Sequence, residues 1–131
     1  MNQNENILNA DEAPSWARKI VKYVDVLYST VRPYLHHMCI VDREFSFEPI
    51  ASTGFAAMVC FTGILNKYLL YYLLSPQFDK YANATDIARG VAYPAISDKR
   101  LYSAIVPLPP TKEQHRIVER LDAFLPLCEN L

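Results

Sequence analysis

The sequence has few glycines and few cysteines, and both shortages exclude classes of function. With only three glycines among 131 residues, it lacks the Gly-rich loop with which nucleotide-binding enzymes surround phosphates. Its three cysteines, Cys39, Cys60 and Cys128, are odd in number, widely spaced and without a CxxC pair. We therefore expect neither a disulfide framework nor a zinc site, and the cysteine usage fits a reducing cytoplasm.

The sequence also lacks an excess of positive charge and a long apolar run. Lys and Arg number 13 against 14 Asp and Glu, which disfavours a nonspecific nucleic-acid coat. The most apolar run, 64–74, contains Asn66 and Lys67 and is far shorter than the roughly 20 residues of a membrane span. No membrane partner is expected. The charge is unevenly distributed, however. Residues 16–43 contain five basic residues and only two acidic ones: Arg18, Lys19, Lys22, Arg32 and Arg43 against Asp25 and Asp42.

No cluster of side chains indicates catalysis or metal binding. His36, His37 and Cys39 are adjacent, but they lack the spacing and the second ligand pair of a zinc finger. A Cys–His nucleophile would need an orienting acid, which the sequence does not identify. The carboxylates are scattered, without the cluster that holds a metal in nucleases. We expect no catalytic residue, no metal and no cofactor.

Hydrophobic periodicity predicts an α/β (α+β) domain, in which a twisted, mostly mixed β-sheet carries a buried helix and the chain ends in an amphipathic helix. Strands follow from β-branched and aromatic residues, turns from Pro33 and Gly54, and helices from apolar spacing. The predicted elements are a strand or strand pair at 19–29, a turn or loop at 30–34, a strand at 37–41, a loop at 42–49, a loop and buried strand at 51–61, a buried helix at 64–74, a short helix at 77–84, an irregular loop at 88–97, and a short strand leading into an extended proline-rich segment at 101–110.

The strongest helix-start signal lies near the end of the sequence. Three prolines precede Thr111, and Gln114 follows three residues later, which is a capping-box pattern. Pro126 is expected to interrupt or kink the helix that follows. One face of this helix is apolar and needs a partner surface, because about four turns are marginal in isolation. Periodicity alone assigns that partner equally to the rest of the chain and to another molecule.

Five segments, in this order along the chain, resemble the specificity (S) subunits of type I restriction-modification systems. They are VDVLYSTVRPYL (24–35), IASTGFAAM (50–58), YLLYYLLSPQF (68–78), GVAYPAIS (90–97) and PLPPTKEQHRIVERLD (107–122). Each segment is weak evidence alone, but the ordered set is specific. The resemblance implies a loose lead-in at 1–15, a partial target-recognition domain at 16–110 and the start of a spacer helix at 111–131.

The resemblance also implies a function. In this family each target-recognition domain reads one half of a split sequence in double-stranded DNA. Long helices dock the modification (methyltransferase) subunits and, through them, the restriction subunit. Methyl transfer and cleavage belong to those partners, so no enzyme activity is expected here. A full S subunit is much longer than this chain, which implies a truncated, split or shortened relative. Val24 stands where the family usually has glycine.

The resemblance places the candidate DNA-binding residues in two loops and one turn. Arginine suits bidentate contact with guanine, so Arg32 is the first candidate; without the resemblance, a surface arginine paired with Asp25 or Asp42 explains it as well. Gly90 allows close approach of a partner to its loop. The candidates are Ser29, Thr30, Arg32, Tyr34, Ser52, Thr53, Arg89, Tyr93, Lys99 and Arg100.

Three more of these candidates have structural alternatives. For Tyr93, packing on the domain beside Pro94 is the favoured alternative. Ser52 and Thr53 would bond either a phosphate or the turn at Gly54.

The candidate partner-binding residues lie on the terminal helix: Gln114, Ile117, Val118, Leu121, Phe124 and Leu125. They would dock a modification subunit or a second copy of the chain. The alternative to DNA recognition is therefore a helix-mediated assembly or dimerisation module that binds no DNA alone. Salt dependence separates the two functions, because phosphate contacts weaken steeply with ionic strength and apolar docking does not.

Overall fold

The computed structural model describes residues 5–87 and 94–128. The candidate residues Arg89 and Tyr93 therefore lie outside the described residues. The strands are β1 (Ala17–Ile20), β2 (Val26–Ser29), β3 (Met38–Ile40), β4 (Ile50–Ser52) and β5 (Phe55–Met58). The helices are α1 (Asn66–Leu73), α2 (Pro76–Ile87), α3 (Asp98–Tyr102) and α4 (Thr111–Cys128), with a 3-10 turn at Pro33–Leu35.

Strand β2 is the centre of the fold, and all four of its residues are buried. It pairs antiparallel with β3 on one edge and with β5 on the other. Because side chains alternate across a strand, Val26 and Tyr28 belong to one apolar cluster and Leu27 to a second. The run VLYS is thus apolar enough to be covered on both faces.

Helices α1 and α2 cover the face that carries Tyr28. Phe78, near the start of α2, meets Tyr28 and Tyr72 edge-on, with ring centroids 5.7 Å apart in both pairs. Leu69 and Leu73 of α1 are buried in the same cluster. Each such side chain contributes about 1.5–3 kcal/mol through burial, so this contact fixes both helices on the sheet.

A two-stranded antiparallel ribbon, β1–β4, covers the other face of the three-stranded sheet. Ile20 lies opposite Ile50 in this ribbon, and Ala51 packs into the cluster of Leu27. The lead-in at 5–15 contains no helix or strand. It is tied to the domain by Glu5, whose carboxylate lies 2.9 Å from the Arg43 guanidinium.

The fold class agrees with the predicted α/β (α+β) domain, but two details differ. Every strand pair among residues 5–87 is antiparallel, so the sheets are not mixed. The strand predicted at 101–110 is wrong, because Leu101 and Tyr102 end α3 and no strand follows them before α4. The hydroxyl of Ser97 accepts from the Arg100 amide at 3.2 Å, so a polar N-cap starts a helix where the apolar run indicated a strand.

Helix α4 begins at Thr111 as predicted and continues through Pro126 to Cys128, where an interruption or kink was expected. Its first hydrogen bonds are accepted by the Pro110 carbonyl, from the amides of Glu113 and Gln114. Within the described ranges, no helix combines the length and the apolar character that crossing a membrane requires.

The turn between β1 and β2 contains a valine with left-handed backbone, Val24, at φ 65°. Its amide donates to the Val41 carbonyl at 2.8 Å, and its carbonyl accepts from the Asn66 side chain. Asp25 is buried and accepts from the Lys22 amide at 2.8 Å. These bonds hold the turn in a conformation that costs a β-branched residue about 1–2 kcal/mol.

Replacing Val24 with glycine is expected to stabilise the protein. The Val24 side chain is 45% exposed, so little burial is lost, while the left-handed strain disappears. After the larger unfolded-state entropy of glycine is subtracted, the free energy of unfolding should rise by about 0.5–1 kcal/mol.

Urea denaturation of Val24→Gly beside Val59→Gly measures this effect. Val59 is exposed and is not a positive-φ residue, so its replacement should destabilise by a similar amount. Equal destabilisation by both variants would contradict the strain at Val24.

Candidate nucleic-acid interface

The structure joins the loop that carries Arg32 to the described end of the second candidate loop, at 94–97. The Ile96 amide donates to the Thr30 carbonyl at 2.9 Å, and the Arg32 amide donates to the Pro94 carbonyl at 2.7 Å. Between these bonds, Val31 and Ala95 form an isolated antiparallel bridge. The exit of β2 and the segment before α3 therefore form one surface, although they are more than sixty residues apart in sequence.

Arg32 and Tyr34 lie in the turn that follows this junction. Arg32 is half-buried and adopts the left-handed backbone, at φ 49° and ψ 60°. Pro33 then starts a 3-10 turn, and the Leu35 amide closes it on the Arg32 carbonyl at 2.9 Å. Tyr34 is 48% exposed. A short, hydrogen-bonded turn thus fixes the backbone of two side chains suited to contacting bases and phosphates.

Ser29 and Thr30 have structural roles instead. Both are buried. The Ser29 hydroxyl donates to the Val31 carbonyl at 2.8 Å, and the Thr30 hydroxyl donates to the Gly54 carbonyl at 2.9 Å. Because these hydroxyls hold the loop in place, the candidate interface no longer includes them.

The two candidates at the Gly54 turn, Ser52 and Thr53, have different roles. The Ser52 hydroxyl accepts from the Gly54 amide at 3.1 Å, so it satisfies the turn, which is the structural alternative for this residue. Thr53 is exposed, and its amide donates to the Trp16 carbonyl at 2.8 Å. Thr53 therefore stays in the candidate interface with a fixed backbone.

Lys99 and Arg100 are adjacent but also differ in exposure and contacts. Lys99 is exposed on α3. Arg100 turns inward: its Nη2 donates to the Tyr81 carbonyl at 2.7 Å, and its guanidinium carbon lies 4.7 Å from the Tyr81 ring centroid. The Tyr81 hydroxyl returns a bond to the Arg100 carbonyl at 2.7 Å. Arg100 therefore anchors α3 to α2 and is removed from the candidate interface. Periodicity in the sequence does not reveal which of two adjacent bases points inward.

Sequence reasoning missed the neighbours of these loops on β1. Lys19 lies 3.6 Å from Asp98 at the start of α3, and Trp16 contacts Thr53 through the backbone bond described above. The available signal was the dense group of bases after the sole tryptophan, in WARKIVK. Only the tertiary fold shows that this group borders both candidate loops.

A histidine next to the loop forms a pair within the chain. His36 Nε2 lies 2.6 Å from the Asp79 carboxylate on α2. In residues 5–87 and 94–128, no group of three or more His, Cys, Asp or Glu is placed to hold a metal ion.

The two halves of the candidate partner-binding helix differ in burial: the first half is packed on the domain, and the second half is exposed. Gln114 is fully buried. Its side-chain oxygen accepts from the Leu65 amide at 2.9 Å, and its nitrogen donates to the carbonyls of Gly63 and Pro109 at 2.7 and 2.9 Å. The capping-box interpretation is therefore wrong, because all of this amide's bonds go to residues other than Thr111. Gln114 and the buried Val118 leave the candidate partner surface.

A polar contact continues the attachment of α4 to α1. The Asp122 carboxylate lies 2.7 Å from Lys67 Nζ and accepts from the Tyr71 hydroxyl. These two hydrogen bonds hold the pKa of Asp122 below its ordinary value. Burial, and then the bond to Asp122 and its charge, raise the pKa of Tyr71 to about 12. The contact is thus formed by a carboxylate and a neutral phenol at neutral pH.

The last turns of α4 expose their apolar side chains. Ile117 and Leu121 are half-buried, whereas Phe124, Leu125 and Leu127 are exposed. Leu125 continues the stripe of Gln114, Val118 and Leu121 at helical spacing. The first half of α4 therefore folds against its own chain, and the second half presents an apolar surface whose partner stays a prediction.

Comparison with known proteins identifies the family of this chain. A family model described as the type I restriction modification DNA specificity domain matches residues 43–130. The chain belongs to this family.

Individual relatives support the assignment. The type I restriction enzyme HindI specificity subunit of Haemophilus influenzae is 27% identical over 126 residues, which cover 95% of this chain and 27% of that protein. The crystal structure of the HsdS subunit from Thermoanaerobacter tengcongensis superposes with a TM-score of 0.76 at 31% identity, covering 92% of this chain and 30% of that one. A chain from a structure of type I R-M system assembly and conformational transition gives the same values. This chain thus spans less than a third of the length of these relatives.

Replacing Gln114 with alanine is expected to loosen α4 from the domain. The change leaves the part-buried Leu65 amide without its acceptor and two carbonyls without their donor, and a buried group left without its partner costs about 1–3 kcal/mol. The free energy of unfolding should fall by at least about 2 kcal/mol.

Thermal and urea denaturation of Gln114→Ala measure this loss. Gln77→Ala is the matched control, because Gln77 is exposed on α2, and it should change the stability little. If both variants unfold like the unmodified chain, the Gln114 bonds do not attach the helix.

Proposed function

We propose that this chain recognises a sequence in double-stranded DNA as a non-catalytic specificity component of a type I restriction-modification complex. The observation that carries the proposal is the joining of the Arg32 loop to the segment at 94–96, in a chain that belongs to the DNA specificity domain family. Tyr34, Thr53 and Lys99 are exposed around this junction. They supply the phosphate and base contacts that recognition of duplex DNA requires.

The distribution of charge supports the same orientation. The loop side carries Arg32 and Lys99, and β1 carries Arg18 and Lys19 beside it. At the opposite end of the β1–β4 ribbon, Val21 bonds the Pro49 carbonyl, and the adjoining segment at 42–48 has an excess of acids, with Glu5 lying against Arg43. Phosphates are attracted to the basic loop side and repelled by the acidic segment at 42–48. This asymmetry orients the duplex, although the net charge of the chain is −1.

The exposed end of α4 supports docking of a partner protein. Two of its exposed apolar side chains, Phe124 and Leu125, extend the stripe that attaches the same helix to α1. We assign them to a modification (methyltransferase) subunit, which would act in the cytoplasm together with a restriction subunit. Methyl transfer and DNA cleavage would reside in those partners. Family membership does not favour the alternative, an assembly module that binds no DNA.

Selection from a randomised duplex pool at physiological salt tests DNA recognition. The chain, alone or with a modification subunit, should enrich a short motif. Arg32→Ala should then weaken binding by about 1–3 kcal/mol and relax the preference at one position of the motif.

Arg116→Ala is the matched control, because this arginine is exposed on α4 and pairs with Glu113. It should enrich the same motif as the unmodified chain. Failure to enrich any motif under both conditions would overturn the proposed function.

Leu125→Asp should prevent docking of the modification subunit without unfolding the domain. The side chain is 40% exposed, so a carboxylate there is hydrated in the free protein and desolvated only in a complex. Half-buried Leu121 is less suitable, because its replacement would also disturb the α1–α4 contact.

Co-elution with the modification subunit on a sizing column, followed by light scattering, measures docking and self-association together. Affinity should fall at least about tenfold for Leu125→Asp. Ala123→Asp, on another face of the exposed turn, should bind normally. If both variants dock as well as the unmodified chain, α4 does not contact this partner.

A further inference from the structure

We propose that one end of the β1–β4 ribbon is a second arm of the DNA interface, in which Arg18 binds a phosphate beside the bases read by the loops. This basic arm consists of Trp16, Arg18, Lys19 and Thr53. The inference rests on the proposed function and extends it to residues outside the original candidate set, Thr53 excepted.

The basic arm is joined to the candidate loops on two sides. On one side, the Thr53 amide donates to the Trp16 carbonyl, and the next residue, Gly54, accepts both the amide and the hydroxyl of Thr30. On the other side, Lys19 lies 3.6 Å from Asp98, two residues after Ile96, which bonds the Thr30 carbonyl. A duplex lying on the loops therefore passes next to the end of this ribbon.

Arg18 is held in a position that suits phosphate contact. It lies on β1 at the register shift between Ala17 and Lys19, and it is exposed. Its Nε donates to the Ser15 carbonyl at 2.5 Å, which orients the guanidinium. A guanidinium has five N–H donors, so four more, on the two Nη atoms, are available in number for a phosphate. Orienting the group beforehand reduces the entropy that binding must remove.

The charges of the arm are unequal, and this difference identifies Arg18 as the main contact. Lys19 faces the carboxylate of Asp98, which compensates its charge. The Nε of Arg18 bonds a neutral carbonyl, so its positive charge persists. At the other end of the ribbon, Val21 bonds the Pro49 carbonyl next to Glu48, where a phosphate would be repelled.

Trp16 makes the inference directly measurable. It is the sole tryptophan of the chain and is 56% exposed, so tryptophan fluorescence reports this end of the ribbon and nothing else. Titration with the duplex selected above should change the intensity or the wavelength of its emission. Anisotropy of the labelled duplex in the same titration measures binding as a whole.

Arg18→Ala should weaken binding to every duplex, because a phosphate contact carries no sequence information. Loss of one phosphate contact lowers the slope of log affinity against log salt by about 0.9, which corresponds to about an eightfold loss near 0.1 M salt. The preferred motif should not change. Arg116→Ala should keep the slope of the unmodified chain.

Asp98→Asn is expected to change the affinity for the duplex in the opposite direction. It removes the carboxylate that faces Lys19 and leaves an uncompensated ammonium beside the duplex. Affinity should rise by up to about eightfold near 0.1 M salt, with a steeper salt slope. Circular dichroism of all variants checks that the fold is intact.

The outcomes separate this inference from the function on which it rests. Binding of the duplex with unchanged Trp16 emission, and with normal salt slopes for Arg18→Ala and Asp98→Asn, would overturn the basic arm and leave DNA recognition standing. No binding by anisotropy, with or without the modification subunit, would overturn both. A changed emission together with a reduced slope for Arg18→Ala alone would establish the arm.

Discussion

The burial of β2 on both faces is the constraint on which the rest of this structure depends. A strand whose four residues are all buried needs a layer on each side, and the chain supplies helices on one and the β1–β4 ribbon on the other. Because the strand is fixed by both layers, its exit at Ser29 is fixed as well. The loop that carries Arg32 leaves from that point, and its carbonyl and amide groups pair with the segment at 94–96. The candidate interface is thus a consequence of how the core is closed.

The second organising element is the buried amide of Gln114, which attaches a helix to a domain through three hydrogen bonds. Its partners lie in the segments before α1 and α4, so one side chain defines where α4 begins relative to the sheet. Asp122 extends the contact by two further bonds to α1. Beyond that point, the apolar side chains of Phe124, Leu125 and Leu127 are exposed. One helix therefore packs on its own domain in its first half, and its second half is the surface that we propose docks a partner.

Much of the fold was predictable, and the site much less so. The strands around β2, the buried helix α1 and the start of α4 follow from apolar spacing and proline positions, which act locally. The start of α3 was missed because a Ser cap outweighed an apolar run. At the site, residue type indicated which side chains can bind DNA but not where they point. Adjacent Lys99 and Arg100 are chemically similar, yet one is exposed and the other is held by Tyr81. Ser29 and Thr30 have suitable hydroxyls, but the loop uses both.

The sequence alone determined the class of fold, the order of its elements and the family that its ordered motifs resemble, because these depend on periodicity, turn residues and short segments. The tertiary structure alone decided which candidates share a surface. Pairing between Thr30 and Ile96, and between Trp16 and Thr53, joins segments that are distant in the chain through backbone groups, which are the same in every residue. Such bonds leave no trace in side-chain identity. For that reason the composition of the candidate interface, and the proposal of a basic arm around Arg18, follow only from the folded chain.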